Sequence, residues 1–358
     1  MSEEQHRAPA GVQLPVGAPE NLGVEATRQR PPWQRNLGRL VFAVVAVASI
    51  ATATAFSFAS GSSGADPRAN LTLIAPAGVG GGWDSFAREQ QQAMRAESVV
   101  NNVQVVNIPG AGGTIGLAAF VEQDQDTQLL ATGAAMLGGI VINDSPLNLN
   151  DVRPIARVAE DYSVFIVPQD SPYSTARDLA EAWSAEPKKV RFTGGSAGSI
   201  DHLLVTQFAQ ALKIPGKNIT YIPKSGGGEA MQTILAGTAD VAVTGYNEVA
   251  DQIEAGRIKA LAVSAPKRLA GTDIPTFEEE GYAVNLVNWR GFVAAPGVSD
   301  EQFEQLRAIV KETSSTAKWK DALARNRWVD SYLDGPELQA FLKEDQERTA
   351  ALIKELGL

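Results

Sequence analysis

Cysteine is absent from the whole chain. That removes disulfides, thiolate metal sites, thiol nucleophiles and acylation of a processed N-terminal cysteine. Histidine is almost as scarce: His6 and His202 are the two present, so a multi-histidine metal site is excluded. Positive charge is in deficit too, with 31 Lys and Arg against 41 Asp and Glu and a formal net charge of −10. Nucleic acid is therefore not an expected partner, because phosphate recognition needs a basic footprint. A small anion needs only a local positive potential. No G-x-x-x-x-G-K-[ST] stretch occurs, which rules out a P-loop. PGAGGTIG (Pro109–Gly116) misses G-x-G-x-x-G because Ile115 stands in place of the last glycine. No internal repeat is evident, and nothing in the sequence asks for a cofactor or a metal.

What is present begins with one long apolar run, Leu40–Ala59, without a charged residue. Twenty residues at ~1.5 Å rise span ~30 Å, enough to cross a bilayer. Arg28, Arg30, Arg35 and Arg39 precede it, which places the N-terminus in the cytoplasm and the remainder outside. Residues 1–39 read as a polar, disordered cytoplasmic tail, 40–59 as a transmembrane anchor or signal segment, and 60–70 as a linker. Ser57-Phe58-Ala59 has the small-x-small form of a cleavage site, so anchor and cleaved signal both stand.

From Leu71 short apolar runs alternate with helical stretches in a βαβαβ rhythm, LTLIA, VQVVN and LLATG being strands. A second such set begins near Ser171, and the last sixty or so residues read as helices without a sheet of their own. The fold class is α/β in two lobes: 71–170, completed by 290–358, and 171–289. The chain would cross between them twice, near YSVFIVP and NWRGFVAAP, forming a hinge over a ligand cleft.

Four glycine-rich loops each follow a strand and precede a helix: PAGVGGGWD, PGAGGTIG, GGSAGSID and KSGGGEA. Glycine lets the backbone turn tightly, and the following helix offers unpaired N–H groups with a partial positive charge. Four such loops point to an anion cradle at the ligand-facing strand ends. One of them, Gly194–Gly198, also matches the G-x-S-x-G nucleophile elbow, which makes Ser196 a serine-hydrolase candidate. His202 is the one histidine after it, six residues on in the helix that the elbow begins, and cannot return as general base. Ser196 fits better as a hydroxyl donor, with Ser199 near the N-cap. His202 is either a carboxylate contact or a structural residue, and Asp84 and Asp201 sit where helix capping accounts for them. Arg290 in NWRG lies in a crossing strand, as a ligand group or as half of an interlobe salt bridge.

PAGVGGGWDSFAR, NIPGAGGTIGLA, GGSAGSIDHLL, YIPKSGGGEAMQTILAG and NWRGFVAAPG together resemble the substrate-binding receptors of tripartite tricarboxylate transporters, also known for Bordetella uptake proteins. The order is the family's from about Leu71 to Gly297, and GGSAG..DH, SGGGEA and NWRG are closest to its tricarboxylate branch. The resemblance implies a type II periplasmic-binding fold, no catalysis, and a monomeric extracytoplasmic receptor. It would deliver a di- or tricarboxylate, citrate-like first, to a membrane permease with a large and a small subunit. Presentation of the loaded receptor to a membrane kinase is the alternative. First-lobe contacts would come from Ala77, Gly78, Val79, Gly80, Gly81 and Gly82, and from Gly110, Ala111, Gly112, Gly113 and Thr114. Those of the second lobe would come from Gly195, Ser196, Ala197, Gly198, Ser199 and His202, with Gly226 and Gly227 nearby. Ser199 and Ile200 depart from the branch's usual Gly and Thr, and so bear on which acid is chosen.

Overall fold

The computed structural model describes residues 66–224 and 227–357. The expectations for the tail, the apolar segment 40–59 and most of the linker lie outside that range. Among the described residues no helix is long and apolar enough to cross a membrane.

Three parallel strands open the fold, β1 (Asn70–Ala75), β2 (Asn102–Asn107) and β3 (Gln128–Gly133), in the order β2-β1-β3. Helix α1 (Gly82–Ala96) follows β1, α2 (Thr114–Gln123) follows β2, and α3 (Ala134–Ile142) follows β3. Phe86, Ala87, Gln90, Ala93 and Met94 repeat at helical spacing and turn one face of α1 into the core. A 16-residue strand, β4 (Arg153–Pro168), then runs through the middle of the molecule.

Beyond it come α4 (Ala176–Ala185), β5 (Arg191–Gly194), α5 (Ile200–Ala211), β6 (Thr220–Pro223), α6 (Gly227–Leu235), β7 (Val241–Gly245), α7 (Tyr246–Glu254) and β8 (Ile258–Val263). Thr175 and Asp178 form a reciprocal capping box that starts α4. β5 pairs in parallel with β6 and β7. The chain returns through β9 (Val287–Ala294), α8 (Asp300–Ser315), α9 (Ala317–Arg325), β10 (Val329–Asp334) and α10 (Gly335–Leu356).

β4 unites everything. Its first part, to Tyr162, pairs antiparallel with β9 and β10; from Ser163 onward it pairs antiparallel with β7 and β8. Alternation along that second part sends Phe165 and Val167 into one core, with Trp183, Phe192, Phe208 and Phe277. Val164 and Ile166 enter another on the opposite face, with Ala242 and Tyr246. A third core joins the opening strands to the returning segment through Leu73, Phe86, Phe120, Trp289, Phe292 and Trp319. Each large apolar side chain removed from water contributes roughly 1.5–3 kcal/mol.

Three features differ from the sequence reading. The sheet is mixed rather than parallel, because β4 and β9 run against their neighbours. The tail does own a strand: β10 pairs with β4, with an irregularity between Asp330 and Leu333 that blurs its alternation. The tail also does not stay with the opening strands. Leu338 and Leu342 of α10 pack in the first core, while Leu352 and Ile353 pack in the Phe165 core.

Candidate functional site

The loop Pro76–Gly81 leaves β1 and enters α1 with Gly80 at φ +84° and open space where a side chain would begin. Asp84 braces it. The Asp84 carboxylate accepts the Gly80 N–H at 2.8 Å and the Asn107 amide at 2.8 Å, and pairs with Arg88 at 2.9 Å. Asn107 also donates to the Ala77 carbonyl at 3.0 Å, tying the loop to the end of β2. Burial works against the Asp84 charge, but the bonds from Arg88, Gly80 and Asn107 outweigh it and hold this carboxyl below its usual range. Val79, at the tip, is 80% exposed.

The second loop takes four successive positive φ angles, Gly110 at 133°, Ala111 at 46°, Gly112 at 63° and Gly113 at 94°. Only glycine accepts most of that path cheaply. Space demands it as well: a methyl on Gly112 would stand 2.7 Å from the Gly139 Cα of α3. One on Gly113 would stand 3.1 Å from the Trp83 ring. Thr114 turns its hydroxyl back onto the Ala111 carbonyl at 2.9 Å.

The third loop is held from beneath. The Gly195 N–H donates to Asp201 at 2.9 Å, and the Gly198 N–H donates to His202 Nδ1 at 3.0 Å. His202 stacks on Tyr221 with ring centroids 4.0 Å apart, and the Tyr221 hydroxyl donates to the Gly195 carbonyl at 2.9 Å. Burial pushes the imidazole down to about 4, so His202 is neutral with its proton on Nε2. Asp201 keeps some exposure as a residue, yet its carboxyl is enclosed. Burial pushes that group up to about 7, against the hydrogen bonds from Gly195 and Ser163 and with help from Glu248 and Asp161. Ser199 is the N-cap of α5 by position, but its hydroxyl caps nothing.

Ser225 and Gly226 of the fourth loop lie outside the described residues. Gly227 opens α6 directly against Thr244 and the Glu248 carboxylate, with no room for a side chain. The Lys224 N–H donates to the Gly194 carbonyl at 3.0 Å, which ties this loop to the third.

These loops are contiguous, and α3 makes them so. Gly139 meets Gly112, and a methyl on neighbouring Gly138 would stand 3.2 Å from the Gly198 carbonyl. This helix, AAMLGGIVI, is absent from the sequence reading because it is apolar all round and shows no 3.6-residue stripe. Arg290 of β9 is the cation at the junction. It is 8% exposed, its Nη1 pairs with Asp161 of β4 at 2.5 Å, and its Nη2 lies 3.3 Å from where a Gly82 side chain would begin. The salt bridge of Arg290 is thus made within the expected first lobe rather than between lobes, and its guanidinium stands at the first turn of α1.

One simplification in the loop argument does not survive. Several loop N–H groups are already taken by the protein itself, those of Gly80, Gly195 and Gly198 among them. The first amides of α1 and α5, which have no intrahelical partner, remain open to a ligand. The elbow reading fails on the same geometry, because His202 Nδ1 is occupied and its ring is stacked. A separate cavity of 830 Å³ lies between α10 and residues 149–154, and none of the four loops lines it.

The mixed α/β fold gathers glycine loops at strand ends, an arrangement that suits the holding of a small anion. The sequence pattern of the Tripartite tricarboxylate transporter family receptor matches residues 86–358, and the chain belongs to that family. Protein BugT of Bordetella pertussis is 26% identical over 321 residues, covering 88% of this chain and 97% of that one. Among solved structures, a TctC solute-binding protein from Polaromonas superposes with a TM-score of 0.70 at 25% identity, covering 82% of this chain and 100% of that one. MatC of Rhodopseudomonas palustris, solved with bound malate, gives a TM-score of 0.65 at 20% identity, covering 80% and 99%.

Proposed function

We propose that the chain captures a di- or tricarboxylate, citrate-like first, outside the cytoplasm and delivers it to a two-subunit membrane permease. In this reading 71–170 with most of 290–358 forms one lobe and 171–289 the other. β4 and β9 are the crossings of a type II periplasmic-binding hinge. The observation that carries it is Arg290 at the first turn of α1, beside the end of the first glycine loop. A guanidinium beside free helix amides gives an acidic protein one local site of positive potential. Family membership supports the receptor function, and malate in MatC supports a dicarboxylate as something this fold can hold.

A thermal-shift screen of the full chain against organic acids, sugars and amines tests the reading. An acid at ~100 times its dissociation constant adds about 2.7 kcal/mol of stability. Shifts from sugars or amines and none from any carboxylate would end it.

A further inference from the structure

Asp161 is a buried half-used carboxylate at the meeting point of everything described above. It pairs with Asn288 of β9 just before β4 changes partners: Tyr162 is the last to pair with β9 and Ser163 the first to pair with β7. It is 4% exposed. Oδ2 stands in ion-pair contact with Arg290 Nη1, which has no directed hydrogen bond, and Oδ1 is enclosed with no hydrogen-bond donor among the described residues. Leaving a buried carboxylate oxygen without a donor is costly, and most native groups of this kind have a partner. The Arg290 guanidinium that holds Oδ2 also lies against Gly82, so the unpaired oxygen and the first amides of α1 flank one planar cation. Two residues on, on the same face of β4, Ser163 donates its hydroxyl at 3.0 Å to Asp201, the carboxyl that braces the third loop.

We propose that Asp161 Oδ1 reads a hydrogen-bond donor on the ligand, so that the acid bound is one carrying a hydroxyl or ammonium close to a carboxylate. This rests on the carboxylate reading of the same site. The ligand carboxylate takes the Arg290 Nη2 edge and the α1 amides. Its neighbouring O–H or N–H donates to Asp161 Oδ1. A second carboxylate placed at that position would meet like charge, so Asp161 also excludes the wrong orientation.

Isothermal titration with skeleton-matched acids tests this: citrate against tricarballylate, and L-malate and L-aspartate against succinate. A donor received by a charged acceptor should favour citrate over tricarballylate, or one of the substituted four-carbon acids over succinate, by at least about 10-fold. Malate against aspartate then tells hydroxyl from ammonium. In Asp161→Asn the preference should shrink to under about 3-fold while the unsubstituted acid still binds. Should that variant not fold, the wild-type ratios decide. Equal affinity within each pair, or a preference that Asp161→Asn leaves intact, overturns the proposal and spares the carboxylate reading. Failure of all five acids to bind removes that reading, and the proposal with it.

Discussion

Asp84 and Asp201 are built alike and behave oppositely. Each stands in the first turn of a helix after a glycine loop, and each carboxylate accepts an N–H from that loop. Asp84 has Arg88 one turn on and stays a firm anion; Asp201 has Val205 at the equivalent position and takes a hydroxyl from Ser163 instead. The same backbone brace is thus made once with a salt bridge and once with a carboxyl that holds a proton near neutrality.

The largest effect should come from breaking the anionic brace. Asp84→Ala strands the Gly80 N–H and the Asn107 amide and should cost about 2–3 kcal/mol at pH 7, measured by urea unfolding. A loss under about 0.5 kcal/mol would mean that the loop needs no anchor.

The next test concerns protons. Asp201, raised from 3.8 to about 7, adds stability that is complete below the unfolded value and is lost as pH rises through 7. His202, lowered from 6.5 to about 4, adds stability present above 6.5 and lost as pH falls through 4. Between these limits folding strips one proton from the imidazole and supplies one to the carboxyl, so the pair contributes almost no net slope. Removing one partner should expose the other. Asp201→Asn should lose stability on acidification from pH 6.5 to 4 by up to ~1.4 kcal/mol per pH unit relative to wild type. His202→Gln should tilt the opposite way. Parallel stability curves for all three proteins would show that the pair is not coupled through folding.

The smallest effect separates two glycines of one loop. Gly80→Ala should cost about 1 kcal/mol, because its φ of +84° strains any Cβ although the space is open. Gly78→Ala, in equally open space without a left-handed backbone, should stay within about 0.5 kcal/mol. Equal losses would point to crowding and against backbone strain.

The strand–loop–helix units were legible because glycine runs and alternating apolar segments are local signals. Ser196 lost its catalytic reading on histidine count alone, and the geometry of His202 agrees. The role of α3 was hidden, since a uniformly apolar segment with Gly138-Gly139 gives no period to read. Asp161 was hidden for another reason. Its place beside Arg290 comes from the pairing of β4 with β9, strands distant in sequence. The braces under the loops were half visible: Asp84 and Asp201 were recognised as helix-start residues, but not as acceptors for loop amides.

The course of α10 has a consequence for the order in which the protein can be made. Leu352 and Ile353, late in that helix, complete a core whose other members begin at Phe165. The Gly216 N–H donates to the Glu355 side chain at 3.1 Å, so the connection before β6 also waits for α10. The opening strands need β9, α8 and α9 for their own core. Neither core is therefore complete until α10 is in place, which ties the folding of the two halves together.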